Sequence, residues 1–293
     1  MFLLEEGGHH EPLIVEFVNR YLGEPVHHFQ ITYTKPLWDK YVFSYFHTNA
    51  EAVFGKYEVA TAIPWYTVMF TIACLLTFAV IWILKGKLSE DAPKNGQLTL
   101  EAGIITLQEM MKDIVGEQGM KYFPVVATFA VLILISNLMG FFPLFIAPSA
   151  HVSVTFALAI SSFVYYNYIG ISENGIYKHL AHLAGPIWWM AWFIFPLEII
   201  SNFIRPLSLG IRLFGNIFAD EKVAETVGGL AGSLGFPPFL SQLLIPIPLM
   251  ALGLLVCLVQ TFVFTLLSMI YLSEVSHSHD DVDEHGEVHE ALA

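Results

Sequence analysis

Between Tyr122 and Ser172 the chain carries no Asp, Glu, Lys or Arg, and from Thr226 to Ser273 it again carries none. A soluble fold of 293 residues has too much surface in water to leave two such runs uncharged, whereas a lipid solvent penalises every charge placed in it. The average agrees with the distribution: 13% of residues are charged and 55% hydrophobic, against about 25% charged in a typical soluble domain. The chain is therefore predicted to be an all-α membrane protein with about five transmembrane helices.

The formal net charge of -13 comes largely from the two ends. Residues 1–64 hold eight acids against four bases, and residues 274–293 hold seven acids with no Lys or Arg. That balance argues against a nucleic-acid partner, which requires a basic face. Cys74 and Cys257 both fall in apolar runs and read as small packing residues rather than a disulfide or a metal site. The opening Met-Phe-Leu-Leu-Glu-Glu lacks a basic segment followed by a long apolar one, so no cleaved signal peptide is expected.

Residues 1–64 are mixed polar and aromatic and read as an arm outside the membrane. Tyr66–Leu84 is a first uncharged run, long enough to cross about 30 Å of hydrocarbon, with Trp65 and Trp82 near its ends as interfacial aromatics. Over 98–118, Leu98, Ile104, Ile105, Leu107, Met110, Met111 and Ile114 are spaced for a helix with one apolar face lying on the membrane surface. Phe141-Phe142-Pro143 and Pro148 divide the next stretch into spans near 123–145 and 151–171, followed by a polar loop over 172–185. Segments 186–220 and 237–273 are too long to stand upright as helices. They are expected to tilt strongly as a hairpin, or to break at Pro196, Pro206, Pro246 or Pro248. Residues 65–276 thus form the membrane domain, and 277–293 an acidic tail containing His277, His279, His285 and His289, read as solvated. The Lys-rich segment 85–121 is placed in the cytoplasm, which puts the N-terminus outside and the tail inside.

The chemistry concentrates in 186–220. Two of the three arginines, Arg205 and Arg212, lie there, although burying such a charge costs on the order of 2.5–3.5 kcal/mol on insertion scales. Arg205 reads either as functional or as a side chain snorkelling to the interface. Arg212, flanked by Leu209, Ile211, Leu213 and Phe214, is harder to explain by snorkelling. Ser208, Arg212 and Asn216 are spaced by four and Glu198, Arg205 and Arg212 by seven, so all share one stripe. Such a stripe fits the wall of a water-filled passage; the plainer alternative is a polar network that only packs helices together. No carboxylate lies within four residues of Arg212, so its counter-charge comes from another helix or chain, or it faces water.

The run from Arg205 to Glu221, RPLSLGIRLFGNIFADE, resembles the signature of subunit a of F-type ATP synthases. Asn137-Leu138-Met139-Gly140, Pro148-Ser149-Ala150, Glu198 and Gln260 match in order, and the resemblance covers roughly residues 60–275. It implies a stationary proton-translocating subunit beside a rotating ring of c subunits, with b-type peripheral-stalk subunits and the rest of the complex as partners. It implies no cofactor and no bound metal. Arg212 would face the ring carboxylates, force them to release protons and block leakage between two offset half-channels. Asn216, Glu221 and Gln260 would line the inlet side, and Glu198 with Ser208 the outlet side. One departure stands out: seven positions before Gln260, where many relatives carry a titratable residue, this chain has Gly253. Asp220, Glu225 and His151 are the candidates to serve instead, His151 as a proton relay. Such a protein would lie in a bacterial inner membrane. No phosphate-cradling glycine loop occurs, so no ATP chemistry of its own is expected. The alternative is a stand-alone secondary transporter that holds an anionic substrate on Arg212. No inverted repeat or matched pair of glycine-broken helices supports it.

Overall fold

In the computed structural model the described residues are 13–44, 59, 62–86, 89, 95–142, 145–183, 191–233 and 246–276. All regular structure among them is helical. The tail histidines and the segment 237–245 lie outside the described residues. Seven long helices organise the described residues: α1 (Leu13–Phe29), α2 (Trp65–Lys85), α3 (Asn95–Val115), α4 (Phe123–Leu138), α5 (Val152–Leu183), α6 (Ala191–Ser233) and α7 (Pro246–Ser276). Among the described residues, five stretches are long and apolar enough to cross a membrane: Trp65–Lys85, Glu117–Phe141, Val152–Glu173, Trp192–Ala219 and Ile247–Glu274.

Contacts between side chains fix the directions of the spans. Phe163 packs on Phe203 while Gly210 lies against Phe156 and Ala159, so α5 and α6 are antiparallel. Asn216 meets Gln260 and Arg205 meets Glu274, so α6 and α7 are antiparallel too. Phe129 packs on Phe264, and His151 at the start of α5 packs on Trp65 and Tyr66 at the start of α2. The spans therefore alternate up and down through the bundle.

Its centre is a cluster of Ile133, Val154, Leu158, Ala159, Leu209, Leu213 and Phe264, contributed by α4, α5, α6 and α7. Lipid is as apolar as these side chains, so the cluster holds by close packing rather than by exclusion from water. Phe264 is wholly enclosed. Phe264→Ala is expected to destabilise the subunit by about 3–5 kcal/mol, read as a lower unfolding temperature in detergent. An unchanged melt would show that the bundle closes over the gap.

A second cluster joins Met111 and Val115 of α3 to Val126, Ile169, Met269 and Leu272. It seats α3 under the end of the bundle where α7 finishes. There Lys121 and Tyr122 both donate to one oxygen of Glu173, at 2.7 and 2.6 Å, tying the start of α4 to α5. At the opposite end, Ser149 donates to Asn137 at 2.7 Å, and both side chains are buried. Gly140 lets the turn between them close, since a Cβ there would sit 3.1 Å from the Ala147 methyl. The arm is helical from Leu13, and Asn19 clips it to the mouth of α2 by bonding both the N–H and the C=O of Ile63.

One local expectation changes. The segment read as a polar loop over 172–185 is helical to Leu183, turning only at Gly175, whose positive φ of 73° suits a residue without Cβ. His179 and His182 therefore stand on helical backbone rather than in a loop. Pro196 and Pro206 lie inside α6 without ending it. Each removes one backbone bond, but neighbouring helices in a membrane bundle can satisfy the freed carbonyl. Pro246 opens α7, where its missing N–H has no helical partner to lose. At 43 residues, α6 would reach about 65 Å if straight.

Candidate functional site

Helix α6 buries Leu209, Leu213 and Ile217 and turns its other faces to α7 and outward. Two polar clusters form where it meets α7. In one, Asn216 donates from Nδ2 to Oε1 of Gln260 at 2.7 Å. Gln260 is only 2% exposed, and its Nε2 has no hydrogen-bond partner among the described residues. An unpaired buried amide is costly, and it marks a place where water would be held. The buried hydroxyls of Thr261, Thr265 and Ser268 continue down α7. The first two bond back to Cys257 and Thr261 carbonyls, and Ser268 faces Ser162 at 3.2 Å.

The other cluster surrounds Arg205. Its Nη1 and Nη2 donate to the two carboxylate oxygens of Glu274 at 2.6 and 2.8 Å, a bidentate and charge-assisted pair. Glu198 approaches Nη2 at 3.6 Å, and the guanidinium lies over the Tyr271 ring at 5.1 Å. Beside it Tyr166 donates to Asn202 at 2.9 Å, and Asn202 donates to Asn167 at 3.4 Å. Arg205 is thus a paired, half-buried charge rather than a snorkelling one.

Arg212 lies between the clusters, one turn from Asn216 and two from Arg205. It is exposed on the outer face of α6, with exposed Leu207, Ser208 and Ile211 beside it. No described residue pairs with its guanidinium. The sequence-predicted stripe therefore divides: Glu198 and Arg205 join one cluster, Asn216 and Gln260 the other, and Ser208 and Arg212 face outward. Asp220, Glu221 and Glu225 continue α6 beyond Asn216, toward the end where His151 stands, but their side chains lie outside the described part. His151 stacks on Tyr66 with ring centroids 3.9 Å apart, meets Trp65 edge-on, and accepts the Ser153 N–H on Nδ1 at 3.2 Å.

Glu274 is the residue that sequence reasoning missed. By composition it counts with the acids of the C-terminal end although it lies in the last span, yet an antiparallel register carries the signal. Moving from Asn216 back to Arg205 on α6 corresponds to moving from Gln260 forward to Tyr271 on α7, over whose ring Arg205 lies, and Glu274 stands on the next turn.

These features define a polytopic helical membrane protein whose outward-facing cation sits between two polar clusters at different levels along α6. Residues 67–273 match the family model for the ATP synthase A chain, and the chain belongs to that family. It is 41% identical over 199 residues to ATP synthase subunit a 1 of Syntrophotalea carbinolica, covering 68% of this chain and 80% of that protein. It is 39% identical over 201 residues to ATP synthase subunit a of Geobacter sulfurreducens, covering 69% and 82%. The subunit a of Syntrophobacter fumaroxidans is 38% identical over 213 residues, covering 72% and 85%. Nothing in these likenesses favours a stand-alone transporter.

Proposed function

We propose that this chain is the stationary proton-conducting subunit of a bacterial rotary ATP synthase, held beside a ring of c subunits and joined to b-type stalk subunits. The observation that carries the reading is Arg212, a full charge exposed on the apolar outer face of a membrane helix with no described residue to pair it. Leaving such a charge against lipid is costly. A partner surface bearing carboxylates removes that cost and explains why the charge is there.

In this reading a protonated ring carboxylate arriving at Arg212 meets a cation that cannot itself give up a proton. The cation stabilises the ionised form, and the proton leaves. Asn216, Gln260 and the acids Asp220, Glu221 and Glu225 line the inlet, with His151 as a relay at the same end. Glu198 and Ser208 line the outlet. Because the two clusters lie at different levels along α6, a proton passes between them only by riding the ring. The inner membrane is the location, with the N-terminus outside and the acidic tail in the cytoplasm.

The test is affinity purification of the tagged chain from membranes, followed by ATP-driven acidification of inverted vesicles with and without sodium. Co-purification with a ring of small hairpin subunits and sodium-indifferent pumping are expected. Isolation without a ring would sink the reading, and strict sodium dependence would change the ion.

A further inference from the structure

The Arg205 cluster contains two carboxylates and one cation, and their geometry is unequal. Glu274 takes both terminal nitrogens of Arg205, while Glu198 stands off at 3.6 Å from one of them. The side chain of Arg205 is 19% exposed, against 36% for Glu198 and 41% for Glu274, so the cation is enclosed and both carboxylates reach outward. Tyr271 fills the space at one face of the guanidinium. Glu198 and Arg205 are two turns apart on α6, and side chains on a helix lean toward its N-terminus, so Arg205 leans toward Glu198. Among the described residues, Glu274 and Glu198 are the carboxylates that pair with Arg205.

We propose that Glu274 is a positioning residue for proton exchange at Glu198: by occupying both nitrogens of Arg205, it keeps that cation from closing on the Glu198 carboxylate. This rests on the reading of Glu198 as an outlet residue. A carboxylate clamped by a bidentate arginine has its oxygens filled by N–H donors, whereas one held loosely keeps them open to water and to an incoming proton. The α7 end thus does more than brace α6. It sets how available the outlet carboxylate is, and Arg205 is the movable piece between the two.

The experiment compares ATP-driven acidification per assembled complex for Glu274→Gln, Glu198→Gln and the double variant Arg205→Gln with Glu274→Gln. In Glu274→Gln the cation turns to Glu198 and pumping falls by about tenfold, the scale of one added charge-assisted hydrogen bond. Removing Arg205 as well frees Glu198, and the double variant recovers to within about twofold to threefold of the unmodified complex, an excess over additivity expected only for coupled residues. A double variant as slow as the single one, or slower, overturns the proposal, because a strut between α6 and α7 would behave that way. Unchanged pumping in Glu274→Gln overturns it too. The outlet reading fails separately, in Glu198→Gln: normal pumping there removes the ground on which the proposal stands. Should Glu274→Gln not assemble, Glu274→Asp keeps the charge and shortens its reach. An intermediate loss that the Arg205→Gln change relieves supports the proposal, and one it deepens overturns it.

Discussion

Arg212→Ala is expected to abolish ATP-driven acidification of inverted vesicles while leaving the complex assembled. Both halves follow from where the side chain sits. It is exposed on the outer face of α6 and pairs with no described residue, so its removal opens no cavity and orphans no buried partner among the described residues. Insertion itself becomes easier, since an arginine at mid-membrane costs about 2.5–3.5 kcal/mol on insertion scales. Loss of pumping would therefore report on the charge and not on folding. The effect should be large. A cation beside a carboxylate favours its ionised form by about 1–3 pKa units, so without it proton release falls about tenfold to a thousandfold at that step. The same substitution removes the barrier between the two clusters, so a passive leak is expected in de-energised vesicles. Arg212→Lys separates charge from geometry: it keeps a cation but loses the fork and can itself deprotonate. It should retain only a minor part of the pumping. Normal pumping in Arg212→Ala, with the variant subunit shown to be present, would sink the mechanism.

The spans were legible because lipid imposes one simple rule on sequence. Trp65–Lys85 and Ile247–Glu274 announce themselves by absence of charge over the length that hydrocarbon demands. Proline signals were less dependable. In water Pro196 and Pro206 would break a helix, but α6 passes through both, because its neighbours decide whether a freed carbonyl is tolerated. The polar character of 172–185 suggested a loop, and polarity alone does not stop a helix: Gly175 interrupts it and the helix resumes. In the site, helical spacing put Glu198, Ser208, Arg212 and Asn216 on one stripe but said nothing of what each would meet. That information lies in the register between helices. Glu274 became visible only once Asn216 was seen against Gln260, since one contact between antiparallel helices fixes the next to within a turn: it brings Tyr271 opposite Arg205, with Glu274 one turn beyond. Arg205 shows the cost of reading a helix alone: its partner is far along the chain and belongs by composition to the tail.

Replacing both Asn216 and Gln260 by Leu is expected to leave the subunit assembled and to cut proton flux by at least about tenfold. The two single substitutions cannot separate a proton path from a packing contact. Gln260→Leu strands the Asn216 amide, and Asn216→Leu strands the Gln260 carbonyl in a place only 2% exposed. The first leaves a half-buried polar group unmatched and the second a buried one, the latter at about 1–3 kcal/mol, so either could slow pumping by disturbing α6 against α7. The double variant removes both polar partners together. Two leucines of similar bulk can pack across that seam, and replacing both members of a buried pair by apolar groups is often neutral for stability. The Gln260 amide nitrogen, already unpaired, disappears with them, which removes an existing penalty. If the pair only holds the helices together, the double variant should therefore pump as well as the unmodified complex, or assemble better. If it holds water and hands protons toward Arg212, the seam becomes dry and flux falls although assembly is intact. The comparison is read as acidification rate against the amount of subunit retained in the purified complex. Normal flux with full assembly would take Asn216 and Gln260 out of the inlet and leave Asp220, Glu221, Glu225 and His151 to supply it.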